Sequence, residues 1–364
     1  MAPSKPLRVL AGSVVRQEMQ VFEAYIKSLK ALKTPPRVEL DFAFVHDDDN
    51  EKLYPVDRTT VLRADPRPKE ADYAVGADTH HWNVATFEHL AKQKQRLLDY
   101  TLKEGYDYFF LVDSDLLLEP TTLINLLHSS APVVSAVFWT AWQNGGEFLP
   151  QVWLRHPYDF AGLGQKPHEF MAALMQRKLI RVTGGGACTL IHRSVIEAGV
   201  GYHPRVPGLP QEGMWQGEDR TFAINLQNRL HRPAHGGGRQ YACAFSDIYH
   251  AYHPQQRTPE ALAAAWEKLS APRQLCAKFG DYVHFTIDPL EEPNFAAAAD
   301  PTSKSHRGRL GGIKVLPEIE TTLLDMSVSD ERMLELRFPP WYPITNYANT
   351  TKIVLLKLVD VKPA

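Results

Sequence analysis

Residues 106–120, Tyr-Asp-Tyr-Phe-Phe-Leu-Val-Asp-Ser-Asp-Leu-Leu-Leu-Glu-Pro, constrain the fold more than any other stretch. The apolar run Tyr108 to Val112 ends abruptly in Asp113-Ser114-Asp115. A short run without alternation suits a strand buried on both faces, as in a parallel sheet. Open α/β sheets receive ligands at the carboxyl ends of their strands, which is where these two carboxylates fall. A capping pair between strand and helix is the plainer reading. Against it, Leu116 to Leu118 follow at once, and a surface turn would not set two acids between two apolar runs. A hard divalent cation accounts for them, because it takes oxygen ligands and asks little else of the protein. Glu119-Pro120-Thr121-Thr122 then opens a helix, with Pro120 suited to its first turn.

The chain before this stretch reads as β–α–β. Leu7 to Ala11 form a strand, followed by Gly12, Ser13 and, further on, Arg16. Phe22, Tyr25, Ile26, Leu29 and Leu32 recur at helical spacing until Pro35-Pro36. Val38 to Val45 form a second strand with Val38, Leu40, Phe42 and Phe44 on one face, ending in His46-Asp47-Asp48-Asp49. Asn50 to His81 is polar and reads as a long loop. A helix follows with Phe87, Leu90, Ala91, Leu98 and Thr101 on one face, and Gly105 ends it. Lys94 falls inside that stripe, either snorkelling to solvent or aiming a charge into a site.

Further strands are expected at Pro132 to Trp139, Ala187 to Ile191 and Gln240 to Phe245. Gly217-Glu218-Asp219-Arg220 opens a helix carrying Phe222, Ala223, Leu226 and Leu230, and Leu262, Trp266 and Leu269 mark another. The alternation predicts an α/β/α three-layer sandwich around a mostly parallel central sheet. We assign residues 1–299 to this domain, 300–312 to a Ser-, Gly- and basic-rich linker, and 313–364 to a β-rich segment. Met333 to Phe338 and Lys352 to Val361 are its strands, and it would serve as a lid, an edge sheet or a homo-oligomer contact.

Composition sets the class of partner. Hydrophobic residues are 44% and charged residues 23%, as in a soluble globular protein. A formal charge of -2 argues against a nucleic-acid binder. No apolar stretch is long enough to span a membrane. Cys188, Cys243 and Cys276 form neither a metal-finger spacing nor an even disulfide framework, which fits a cytoplasmic protein.

Three clusters now stand in order at predicted strand ends or helix starts: Asp113/Asp115, Glu218/Asp219 and His250/His253. This order resembles the GT-A fold glycosyltransferases, over roughly residues 7–270. Leu111-Val112-Asp113-Ser114-Asp115 looks like that fold's Asp-x-Asp motif, and Met214-Trp215-Gln216-Gly217-Glu218-Asp219 like the Glu-Asp segment of beta-1,4-galactosyltransferases and family 2 enzymes. Arg16 after the first strand and Tyr249-His250 are similar to positions in the yeast mannan polymerase-type mannosyltransferases. The resemblance implies a nucleotide-diphosphate sugar donor and a carbohydrate or other hydroxyl acceptor. It implies Mn²⁺ or Mg²⁺ held by Asp115 and His250, with His253 the second choice, and Asp113 on the metal or the ribose. It implies Asp219 as the catalytic base, with Glu218 beside it.

The chemistry agrees with those roles. A departing nucleoside diphosphate gains negative charge, which a cation on carboxylate oxygens offsets. An imidazole ligand favours Mn²⁺ over Mg²⁺. Two adjacent acids are expected to face different ways, one taking the acceptor's proton and the other holding a sugar hydroxyl. Alternatively, both only complement a helix dipole. Gly12, Ser13, Arg16, Asp47, Lys94, Asp113, Gly185 and Gly186 are the candidate donor contacts. Asp47 stands where a Rossmann-type fold receives the ribose, and the glycines would let backbone approach the sugar. Trp139, Trp142 and Trp215 are candidate acceptor platforms, the alternative being core packing. Two other functions stay open: a sugar nucleotidyltransferase, disfavoured by the single glycine in Gly12-Ser13-Val14-Val15-Arg16, and an inactive sugar- or nucleotide-binding protein on the same fold.

Overall fold

The computed structural model describes residues 5–35, 37–47, 54, 57–71, 74–75, 80–81, 83–129, 131–153, 170, 174, 179–204, 217–229, 240–271, 282–290, 304–309, 323, 331–337 and 351–362. They divide into two units, Met1–Ala271 and Pro272–Ala364.

The strands of the first unit are β1 Leu7–Val15, β2 Val38–His46, β3 Thr59–Arg63, β4 Ala74–Val75, β5 His80–His81, β6 Tyr108–Val112, β7 Leu116–Leu118, β8 Val133–Ala136, β9 Trp139–Ala141, β10 Phe148–Pro150, β11 Val152–Trp153, β12 Leu179–Val182, β13 Gly184–Gly185, β14 Cys188–His192, β15 Gln240–Cys243 and β16 Ile248–His250. Its helices are α1 Met19–Lys30, α2 Val84–Lys103, α3 Thr122–His128, α4 Arg193–Glu197, α5 Glu218–Arg229 and α6 Pro259–Ser270. Eight strands make the central sheet, in the order β12-β15-β8-β14-β6-β1-β2-β3. β3, β2, β1 and β6 pair in parallel, as do β8 and β15, while β14 and β12 run against their neighbours. The sheet is therefore mixed but mostly parallel, as expected.

Alternation along the strands builds the layers. Val9, Ala11, Phe42, Phe44, Phe110 and Val112 point to one face and pack against Phe22, Tyr25, Ile26 and Leu29 of α1 and Leu123 and Leu126 of α3. Leu10, Ala43, Val45, Phe109 and Leu111 point to the other and meet Leu97 and Leu98 of α2, Val195 and Ile196 of α4, and Phe222 and Leu226 of α5. α2 starts at Asn83, whose side chain accepts from Thr86 N at 2.9 Å. It stops before Gly105, which takes a φ of +74°.

Four expectations are corrected. β1 runs on to Val15, so Gly12 and Ser13 are buried strand residues paired with Ala43 and Phe44 rather than a loop facing a donor. A Cβ at Gly12 would stand 2.6 Å from the Phe109 ring. The supposed loop after Asn50 contains β3, a strand of mixed polarity at the sheet edge that lacks a clear alternation. The unit boundary falls after Ala271 rather than at 299. Lys304–Arg309 is a strand, not a linker. It joins Tyr282–Leu290, Glu331–Arg337 and Thr351–Lys362 in an antiparallel four-stranded sheet of the second unit, two of whose strands were expected.

Candidate active site

The carboxyl end of β6 opens into a cleft of about 370 Å³, with Arg16, Asp47, Asp113, Asp115, Asp219 and His250 in its wall. Asp113 is anchored by its backbone, whose N–H donates to Ala187 O at 2.7 Å. Asp115 leads into the buried strand β7, which pairs antiparallel with β16 so that His250 faces Leu116. The Ala251 N–H donates to Asp115 O at 2.9 Å. This pairing brings His250 Nε2 to 3.3 Å from Asp115 Oδ2, although 135 residues separate them. His250 Nδ1 lies 2.7 Å from Thr140 Oγ1, which fixes the ring from behind. Burial alone would raise the Asp115 carboxyl, but the charge and hydrogen bond of His250, with Arg257, pull it below the usual range.

Behind Asp113 and Asp219 lies Lys94. Its side chain is fully buried and does not snorkel. Its ammonium donates to Glu218 Oε1 at 2.7 Å and Asp219 Oδ1 at 3.3 Å, and stands 3.2 Å from Asp113 Oδ1. Glu218 and Asp219 therefore face the same way, against the expectation that neighbours must diverge. The first turn of α5 lies beside α2, and the longer Glu218 side chain lets both acids reach one ammonium. Burial disfavours the ammonium, but the three carboxylates outweigh it and hold Lys94 well above its usual pKa. Burial likewise pushes Asp219 up to about 7 and Asp113 up to about 6, with Lys94 pulling both down and neighbouring acids adding to the rise.

The structure brings two of the three expected metal ligands into contact, Asp115 and His250, and gives Asp113 to Lys94. Among the described residues no group of three or more His, Cys, Asp and Glu side chains is arranged to hold a metal ion. His253, the second choice, is buried, with Nε2 at 2.6 Å from Ala141 O. Its ring ties β9 to the segment after β16.

Asp47 reaches the cleft wall, but Arg67 NH2 holds its Oδ2 at 2.9 Å and His89 Nε2 lies 3.1 Å from its Oδ1. Gly185 packs on Ser135, and a side chain at Gly186 would collide with the Asp219 carboxylate. Both glycines thus make room for protein groups rather than for a donor sugar. Trp142 is 47% exposed and stands edge-on to Tyr252 at the cleft, whereas Trp139 lines a separate cavity. Trp153 is at the cleft with the Arg220 guanidinium 4.9 Å over its ring. Trp215 lies outside the described residues. The sequence reading missed Arg67, His89 and Thr140, and Tyr202, whose ring centre lies 5.6 Å from the Lys94 ammonium. His89 was within reach, because Thr86, His89, Gln93, Lys94 and Leu97 follow one helical stripe on α2.

Comparison with known proteins bears on this site through one match. Residues 8–142 match the model of the glycosyltransferase family 25 N-terminal domain. The chain carries a glycosyltransferase domain, and the matched span includes Arg16, Asp47, Lys94, Asp113 and Asp115. The Glu218-Asp219 pair lies beyond it. No curated protein matches the chain significantly by sequence. Solved structures similar to it include S. aureus TarS 1-349 (12% identity, 72% of this chain and 64% of that one, TM-score 0.37). Others are the mannosyltransferase PcManGT from Pyrobaculum calidifontis in complex with GDP-Man and Mn2+ (14%, 66% and 58%, TM-score 0.33) and A197 from STIV (15%, 67% and 85%, TM-score 0.32). The chain spans less than two thirds of TarS 1-349 and of PcManGT. TM-scores this low carry no argument about chemistry. The α/β fold rests on the strand order and layers described above.

Proposed function

We propose that this glycosyltransferase moves a sugar from a nucleoside diphosphate sugar to an acceptor hydroxyl by single displacement, with Asp219 as general base. The observation that carries the reading is one cleft lined by both the Asp115–His250 pair and Asp219. Asp115 and His250 fit a divalent cation that takes most of its ligands from substrate phosphates. Such a cation, when bound, offsets charge on the departing diphosphate, and the imidazole favours Mn²⁺ over Mg²⁺. For His250 to offer Nε2, its proton moves to Nδ1, which then donates to the Thr140 hydroxyl.

Of the two acids, Asp219 suits the base role better. The Glu218 side chain is only 8% exposed and makes the shortest contact to Lys94, so it anchors the lysine. The Asp219 side chain is 21% exposed, in the cleft wall. A carboxyl raised to about 7 accepts a proton near neutral pH and holds it better than an ordinary aspartate. Attack opposite the leaving group inverts the anomeric carbon. Trp142, exposed at this cleft, offers an acceptor ring a surface to stack on, whereas the Trp153 ring is taken up by Arg220.

Asp219→Asn keeps size and hydrogen bonding but cannot take the proton. We expect kcat to fall about 10²–10⁴-fold with donor affinity nearly unchanged. The wild-type product, read by NMR, should carry the anomeric configuration opposite to the donor's. Near-normal turnover in the variant, or retained configuration, contradicts the assignment. Release of pyrophosphate from a nucleoside triphosphate would favour the nucleotidyltransferase alternative.

A further inference from the structure

Lys94 Nζ has four carboxylate oxygens within 3.4 Å: Glu218 Oε1 at 2.7 Å, Asp113 Oδ1 at 3.2 Å, Asp113 Oδ2 at 3.4 Å and Asp219 Oδ1 at 3.3 Å. These oxygens come from the end of β6 and the start of α5, while the lysine arrives from α2. Converging carboxylate oxygens in a buried spot are also the surroundings a hard divalent cation takes, at the shorter distances of about 2.0–2.6 Å. Here an ammonium, whose three N–H donors suit three carboxylates, fills the centre instead.

We propose that Lys94 is a built-in cation at a second position of the cleft. It holds Asp113 and Asp219 in place and withholds both from the divalent ion assigned to Asp115 and His250. The proposal rests on the preceding functional reading for that ion, and goes beyond it in giving Lys94 a role. Lys94 lies behind the cleft wall and acts through Asp113 and Asp219, as a positioning residue. With one Asp219 oxygen on Lys94 and the other against Gly186, the carboxylate is fixed in the cleft wall. The ammonium spares the cleft a second site at which a divalent ion would tie up the base.

Removing the ammonium should turn the cluster into a metal site. The test is a titration of the full chain with Mn²⁺ alone, followed by electron paramagnetic resonance, in four forms. Wild type should bind one ion, and Asp115→Asn should bind it about tenfold or more weakly, a loss of about 1.4 kcal/mol or more. Lys94→Met should bind an additional ion. Combining Lys94→Met with Asp115→Asn should restore binding by about tenfold or more over Asp115→Asn alone. If that double variant binds Mn²⁺ no better than Asp115→Asn, the role of Lys94 is overturned. If wild type binds no Mn²⁺, or Asp115→Asn binds it normally, the metal reading fails, while the gain on losing Lys94 is still read. If Lys94→Met does not fold, Lys94→Met with Glu218→Gln leaves two carboxylates in place of three. That pair should show the same gain in weaker form, and no gain there contradicts the proposal.

Discussion

Asp219 makes opposite demands on stability and on catalysis. Unfolded, it titrates near the ordinary 3.8; folded, at about 7, chiefly through burial. The folded chain therefore binds this proton more tightly. The stability Asp219 contributes is fully present below 3.8 and is lost as pH rises through about 7. Asp219→Asn removes that slope, so its melting temperature relative to wild type should climb between about pH 4 and about pH 7 and level off above it. A difference that stays flat would contradict the buried acid. As a base the same group works only when deprotonated, so kcat/KM should rise through about pH 7. At this scale the acids that meet at the cleft were legible as candidates, because they stand at a strand end and a helix start. Their mutual partner was only half legible. Lys94 broke the apolar stripe of α2, but no sequence pattern told that three carboxylates from elsewhere would surround it. The same holds for Asp47, whose oxygens are taken by Arg67 and His89.

The pairing of β7 with β16 is the element on which the proposed metal ligands depend. It sets His250 beside Asp115, and three residues later His253 turns away to Ala141. The two histidines should therefore separate cleanly in Mn²⁺ binding. His250→Ala should weaken Mn²⁺ binding, and because it also strips Asp115 and Thr140 of a partner it should lower stability too. His253→Ala should leave Mn²⁺ binding intact and lower unfolding stability by about 1–3 kcal/mol, the cost of orphaning a buried carbonyl. The reverse pattern, read by Mn²⁺ titration and urea unfolding, would transfer the ligand role to His253. The core strands β1, β2 and β6 were legible because both their faces are apolar. The extension of β1 through Gly12-Ser13 was not, since small residues look like a loop until the Phe109 ring is seen to need the space. The edge strand β3 had too little alternation to be recognised.

For the whole molecule, the order of elements predicted the α/β layers, and parity along β2 predicted that Val38, Leu40, Phe42 and Phe44 share one face, the one that packs in the core with α1. The unit boundary was misjudged because Tyr282–Leu290 pairs with Lys304–Arg309 on one side and with Thr351–Lys362, far along the chain, on the other. Pairing over such separations leaves no local mark. No helix among the described residues is long and apolar enough to cross a membrane. The family model ends before Glu218, so the second half of the cleft rests on geometry alone. The central claim is that one cleft binds a nucleotide sugar through a divalent ion on Asp115. Its most direct test is thermal unfolding of the full chain against a panel of nucleotide sugars, with and without Mn²⁺, in wild type and Asp115→Asn. We predict that at least one donor stabilises wild type by about 2.7 kcal/mol at a hundred times its Kd, only with Mn²⁺, and not the variant. A panel in which no donor stabilises the protein, or in which the shift is the same without Mn²⁺ and in Asp115→Asn, would contradict the account.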